Sequence, residues 1–212
     1  MKRGPSIAAR DDGWADAVGN RHRRAGVDVR IACLVPSITE LICDLGLAAN
    51  LVARTGFCVH PREILRAVPK VGGTKDVQLD RLRDLAPTHV VVNIDENPRE
   101  VAEALAAFIP HLIVTHPKAP EDNLSLYRLL GGIFGREVEA ERLCAAFADA
   151  LAASCEPRPV QRVLYLVWRD PWMTVTPETY VSKMLALAGW ATWPAAADRR
   201  YPEVVLDEAT LS

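Results

Sequence analysis

The sequence predicts an α/β protein: two doubly wound α/β lobes joined by a long backbone helix, the second lobe incomplete. Three observations predict it. From Val29 onward, short apolar runs alternate with amphipathic helical stretches, the rhythm of a parallel sheet with crossover helices. A helical pattern from Gly135 to Ser154 follows, and as one piece it would span about 30 Å. Beyond it, the apolar run Val163–Val167 stops in Trp168-Arg169-Asp170-Pro171-Trp172-Met173. A strand that simply ends in solvent turns on Gly, Asn or Ser. Rings and charges at the carboxyl end of a buried strand instead mark a ligand cleft.

Residues 1–28 scatter Lys2, Arg3, Arg10, Arg21, Arg23 and Arg24 among Gly, Ala and Asp, and are predicted to be a disordered leader. No apolar stretch follows Lys2-Arg3, so no secretory signal is visible, and the chain as written reads as cytoplasmic.

The N-terminal lobe is expected over 29–118. Arg30–Val35 reads as a buried parallel strand ending at Pro36. Ser37-Ile-Thr-Glu40 has the form of a capping box, opening a helix that carries Leu41, Ile42 and Leu45 and stops at Gly46. Leu51–Ala53 is a second strand and Gly56–Pro61 a loop. Gln78–Leu85 is an amphipathic helix, His89–Asn93 a third strand, 99–108 a helix and His111–Thr115 a fourth strand.

The helical segment with the interlobe helix is placed at 119–156, with a break at Gly131-Gly132. Its second half puts Leu143, Phe147, Ala150, Leu151 and Ser154 on one side. Residues 157–212 form a partial C-terminal α/β lobe, with a strand at 163–167 and a helix at Tyr180–Leu187. These elements do not complete a parallel sheet, so the chain reads as cut short.

Composition narrows the function. Half of the 212 residues are hydrophobic, a quarter are charged, and the formal net charge is −2. That balance gives no reason to expect nucleic acid or an anionic membrane as partner. No run is long and apolar enough to span a bilayer. Five cysteines without framework spacing favour free thiols, and Cys33, Cys43, Cys144 and Cys155 read as small buried hydrophobes.

Several motifs carry candidate chemistry. Cys58 and His60 lie two apart, so in an extended segment both would point the same way. Two ligands define no metal site. His60 either bonds backbone or supplies an axial nitrogen to a chelated metal. Gly72-Gly73-Thr74-Lys75 lacks the frame of a phosphate loop and reads as a tight turn that a ligand approaches, with Lys75 able to meet an anionic group. Asp95 and Glu96 at a strand exit are paired acids with no accompanying catalytic set, so ligand contact is the reading. Of Trp168 and Trp172, at least one is expected to line the ligand. Asp170 can accept hydrogen bonds from ligand amides and Arg169 can meet a carboxylate or phosphate.

Taken together, Ile31–Glu40, Phe57–Pro61, Val71–Lys75, Asp95–Asn97, Trp168–Met173 and Arg200–Val204 resemble the cobalamin- and iron-chelate-binding proteins of ABC importers, the helical-backbone metal receptors. The resemblance runs from Arg30 to the C-terminus. It implies a non-catalytic, extracytoplasmic substrate-binding protein that holds a corrinoid or other metal chelate between its lobes and delivers it to permease subunits, with no intrinsic cofactor. Phe57 and Tyr201 match aromatics that stack on the macrocycle. Thr74 and Asn93 stand where cobalamin receptors carry tryptophan, which leaves a smaller or more polar chelate open. Asp80 and Asp207 match the acidic residues that dock the permease, each one methylene shorter than the usual glutamate. The competing readings are a cytosolic enzyme or carrier acting on a tetrapyrrole or metal complex, and a non-functional remnant.

Overall fold

Buried strands with apolar side chains on both faces need neighbours on both sides, and the central strands of this chain have them. A computed structural model describes residues 13–154 and 158–207. Its elements are β1 (Trp14–Ala15), β2 (Arg21–His22), β3 (Ile31–Cys33), α1 (Pro36–Asp44), β4 (Leu51–Arg54), α2 (Arg62–Leu65), α3 (Leu79–Asp84), β5 (His89–Asn93), α4 (Arg99–Ala106) and β6 (His111–Thr115). They continue with α5 (Asp122–Ile133), α6 (Glu137–Ser154), β7 (Gln161–Val163), α7 (Tyr180–Leu187) and β8 (Trp190–Thr192).

The chain divides into two units. One holds the described residues through His116 together with Arg128–Ala140; the other holds Pro117–Tyr127 and the described residues from Glu141 onward. Helices α5 and α6 therefore contribute to both. The division falls within the two helices rather than at the expected 118/119 boundary, and the expected 156/157 boundary lies outside the described residues.

In the first unit four parallel strands run in the order β4-β3-β5-β6. Every residue of β3 and β5 is buried. One sheet face supplies Ala32, Leu34, Ala53, Val90, Val92 and Val114 to a core that also takes Val71, Leu82, Leu105 and Ile109. The alternate residues Ile31, Cys33, Val91 and Ile113 are also fully buried and by strand alternation face the other way. This is the doubly wound lobe expected from the sequence.

The N-terminal segment departs from expectation. Residues 1–12 lie outside the described residues, but Gly13–Asp28 is not a disordered leader. Strands β1 and β2 form an antiparallel hairpin in the register Trp14↔His22 and Ala15↔Arg21. The buried Asp16 carboxylate organises it, accepting from Val18 N (3.1 Å), Asn20 N (2.9 Å), Asn20 Nδ2 (3.2 Å) and Val114 N (3.0 Å), with His22 Nε2 at 3.1 Å. Ala17 N donates to Val114 O at 2.9 Å, so the hairpin covers the outer edge of β6. Composition suggested disorder because the ordering bonds converge on a single carboxylate.

Two local readings are also corrected. Val35, not Ser37, precedes α1, and no side chain caps it; Pro36 occupies the first turn, where its missing N–H costs nothing. Gly131 and Gly132 do not break the helix, since α5 continues to Ile133 and the turn comes at Gly135 (φ +67°). They are sites of close approach. A Cβ at Gly131 would lie 2.5 Å from Ala140 Cβ, and one at Gly132 would lie 2.1 Å from the Trp14 ring.

In the second unit, Thr179 caps α7 by accepting from Ser182 N at 3.2 Å. Strands β7 and β8 pair in parallel. The run Val163–Val167 is not the buried strand expected: only Val163 belongs to β7, and Tyr165 and Val167 are 41% and 39% exposed. Among the described residues β7 has the single strand neighbour β8, which leaves that run without flanking strands. Helix α6 is a continuous rod of 18 residues, about 27 Å long. Cys155 lies outside the described residues.

Candidate functional site

A parallel sheet directs the carboxyl ends of its strands, and the loops leaving them, to one edge. At that edge of the first unit the exits of β4 and β5 meet the turn at 72–77, and the β6 exit adjoins that of β5. Gly56 N donates to Gly72 O at 2.7 Å, which ties the β4 exit to the glycine turn. Phe57 lies against this turn, 3.4 Å from the position of a Cβ on Gly73, and is 64% exposed. The turn needs its glycines for its own closure. Gly72 has φ +97°, and Cβ atoms at Gly72 and Gly73 would lie 2.3 Å from Asp76 O and 2.2 Å from Asp76 Oδ1.

The buried Asn97 locks the β5 exit onto the same turn. Its Nδ2 donates to Thr74 O at 2.9 Å and Leu34 O at 3.4 Å, while its Oδ1 accepts from Asn93 N at 2.9 Å. Asn93, also buried, accepts from Asp95 N at 2.8 Å through Oδ1. Asn93 and Asn97 thus hold Asp95 and Glu96 in place. His116, at the β6 exit, lies 3.4 Å from Asp95 Oδ1. Burial first, and then the neighbouring Asp95 charge, raise the Glu96 carboxyl above its ordinary value, so it stays protonated to a higher pH. Lys75 is exposed.

Phe57, Thr74, Lys75, Asp95 and Glu96 therefore belong to loops gathered at one sheet edge. His60 does not join them, lining instead a cavity with Arg54, Arg62, Arg66 and Lys70. Nor do Cys58 and His60 point the same way. The segment turns, with Cys58 N donating to Thr55 O at 3.3 Å, so Cys58 is fully buried against Thr39 and Thr55 while His60 is exposed. Burial, and then Cys58 beside it, push the Cys33 thiol up to about 12, which makes it an inert core residue. Among the described residues no group of three or more His, Cys, Asp or Glu is placed to hold a metal ion. A second cavity, about 460 Å³, lies beside the β5 exit and is lined by Val92, Asn93, Ile94 and Asn97 with Val18 from the hairpin.

The second unit gathers its own predicted residues. Trp168 and Met173 form an antiparallel bridge around Arg169–Trp172, in which Asp170 adopts φ +62°. The segment 200–204 runs alongside, with Thr174 N donating to Pro202 O at 3.0 Å and Val204 N to Trp172 O at 2.9 Å. Tyr201 is thereby brought to the Trp168–Met173 turn. Trp168 is 64% exposed, and Arg169 lies over the Trp172 ring at 5.5 Å. Arg169 and Asp170 approach to 3.8 Å, a loose surface pair worth little. Asp80 and Asp207 are both exposed, and Asp80 accepts from Arg83 Nη1 at 2.9 Å.

Sequence reasoning missed His116 and Asn97. His116 directly follows β6, so its place at a strand exit was the available signal. Asn97 gave none, since its role rests on contacts to residues distant in the chain.

The exposed Phe57 ring beside the polar groups of the strand exits, rather than sunk in the core, is the arrangement of a binding surface. A family model described as periplasmic binding protein matches residues 31–211, and the chain belongs to that family. The family consists of non-enzymatic substrate-binding proteins, so this chain is a binder and not an enzyme. Among curated relatives, it is 23% identical over 198 residues to the vitamin B12-binding protein of Photorhabdus laumondii, covering 90% of this chain and 70% of that protein. Among solved structures, the periplasmic vitamin B12 binding protein of Vibrio cholerae superposes with a TM-score of 0.74 at 20% identity, covering 86% of this chain and 72% of the other. The periplasmic heme-binding protein of Roseiflexus sp. RS-1 gives 0.72 at 26% identity, covering 84% and 71%.

Proposed function

We propose that the protein binds a corrinoid or a related metal chelate as transported cargo and delivers it, outside the cytoplasmic membrane, to the permease of an ABC importer. The observation that carries this reading is the exposed Phe57, seated on the glycine turn beside Asp95 and Glu96, in a chain whose relatives are named for binding vitamin B12 and heme. A flat macrocycle offers a broad apolar face, which an exposed ring covers with little loss of rotamer freedom. Polar groups on its rim suit carboxylates. Asp95 and Glu96 offer acceptors, and Lys75 meets an anionic substituent. Thr74, on the same glycine turn, is a proposed further contact. Trp168, Asp170, Trp172 and Tyr201 are likewise proposed ligand-binding residues. Asp80 and Asp207 are proposed to meet arginines on the permease.

The test is titration of the purified chain with cobalamin, cobinamide, haem and a ferric siderophore while following tryptophan fluorescence. Saturable quenching by at least one is expected, and Phe57→Ala should weaken it by about tenfold. No response to any of the four would overturn the chelate reading.

A further inference from the structure

The end of β4 and the chain from Val59 to Lys70 border an open cavity of about 500 Å³ that the chelate reading does not use. Its wall brings together Arg54, His60, Arg62, Arg66 and Lys70 with the apolar Val59 and Leu65, and no carboxylate among the described residues lines it. Four permanent positive charges thus share one concavity in a chain whose net charge is −2. A low-dielectric wall of one sign focuses potential on its contents.

Arg54 supplies the second observation. It is only 6% exposed. Its Nε donates to Leu65 O at 2.9 Å, and its Nη1 donates to Thr55 O at 3.1 Å and Cys58 O at 2.9 Å. All three acceptors are neutral carbonyls. Among the described residues no carboxylate pairs with Arg54, and its Nη2 donates to none of them. A buried guanidinium without counter-charge is costly unless something anionic offsets it. The carbonyls meanwhile fix the guanidinium plane, which preorganises the remaining N–H groups for the oxygens of a carboxylate or phosphate. Lys70 pairs with Arg54 across an isolated parallel bridge, and Arg54 N donates to Pro69 O at 3.0 Å. Arg66 N donates to Arg62 O at 3.1 Å, a helical turn that puts those two side chains on one face.

We propose that this cavity binds a small soluble oxyanion carrying phosphate or carboxylate groups. Arg54 is its fixed donor, and Arg62, Arg66 and Lys70 are the flexible counter-charges around it. The volume suits a molecule with several such groups rather than a single ion. The proposal stands independently of the cargo, because its test uses no chelate.

Pyrophosphate and citrate are titrated separately into the purified full chain by calorimetry, at low and at near-physiological salt. At least one should bind saturably, and more weakly at higher salt. The double substitution Arg62→Gln/Lys70→Gln should reduce that affinity by about tenfold or more. Both positions are exposed, so the fold should be kept, with an unchanged circular dichroism spectrum as the check. Arg83→Gln, on α3 and outside the cavity, should leave the affinity unchanged. Preference for one anion identifies the group the site reads. Failure of both anions to bind, or equal affinity in the double variant and the parent, overturns the proposal. Neither result alters the fluorescence titration with chelates.

Discussion

The sheet of the first unit and the strand pair of the second show how neighbours, rather than composition, decide the fate of an apolar run. His89–Asn93 has three apolar residues of five, and Val163–Val167 has five of five. The first is buried along its whole length between β3 and β6. Of the second only Val163 is in a strand, and its Tyr165 and Val167 remain well exposed. Hydrophobicity makes a run suitable for burial; flanking strands and covering helices supply it.

The largest expected effect comes from testing that contrast directly. Ile113→Ala in β6, fully buried, should cost about 2–5 kcal/mol, whereas Val167→Ala should stay within about 0.5 kcal/mol. Urea denaturation of both variants measures this, and equal losses would break the comparison. Asp16→Ala examines how the outer edge of β6 is protected. Removing a buried acceptor leaves several donors unpaired and should cost about 3 kcal/mol, with faster amide exchange at Val114. Gly132→Ala drives a methyl group into the Trp14 ring and should cost about 1–3 kcal/mol while shifting the tryptophan emission.

A smaller effect depends on pH. Burial first, then the neighbouring His111 and His22, lower His89 from 6.5 to about 4. The unfolded chain takes up this proton near 6.5, and the folded chain takes it up only near 4. The contribution of His89 is therefore fully present above pH 6.5, is lost as the pH falls toward 4, and changes little below. His89→Gln should flatten the dependence of unfolding free energy on pH between those limits. An unchanged slope would show that other groups set it.

Much of the first unit was legible because its signals are local. Apolar runs of strand length, helical spacing in 79–85 and 99–108, and the strand exits at Phe57 and Asp95 all depend on residues close in sequence. The unreadable parts depend on distant partners. Asp16 became an organising residue only when Val114 came within reach of its carboxylate. The glycine pair in α5 read as a break because its true reason, Trp14 and Ala140 pressed against the backbone, lies elsewhere in the chain. The pairing of Cys58 with His60 failed because a turn reverses the alternation that an extended segment would impose.

By itself the sequence determined the α/β class, the succession β3-α1-β4, α3-β5-α4-β6 in the first unit, and which residue types stand at strand exits. These follow from periodicity and from the local chemistry of strand and helix ends. Tertiary structure alone decided which exits converge, that an N-terminal hairpin seals the sheet edge, and that Arg54 sits buried among other cations. Such facts rest on hydrogen bonds and charge proximity between residues far apart along the chain, which no local pattern records.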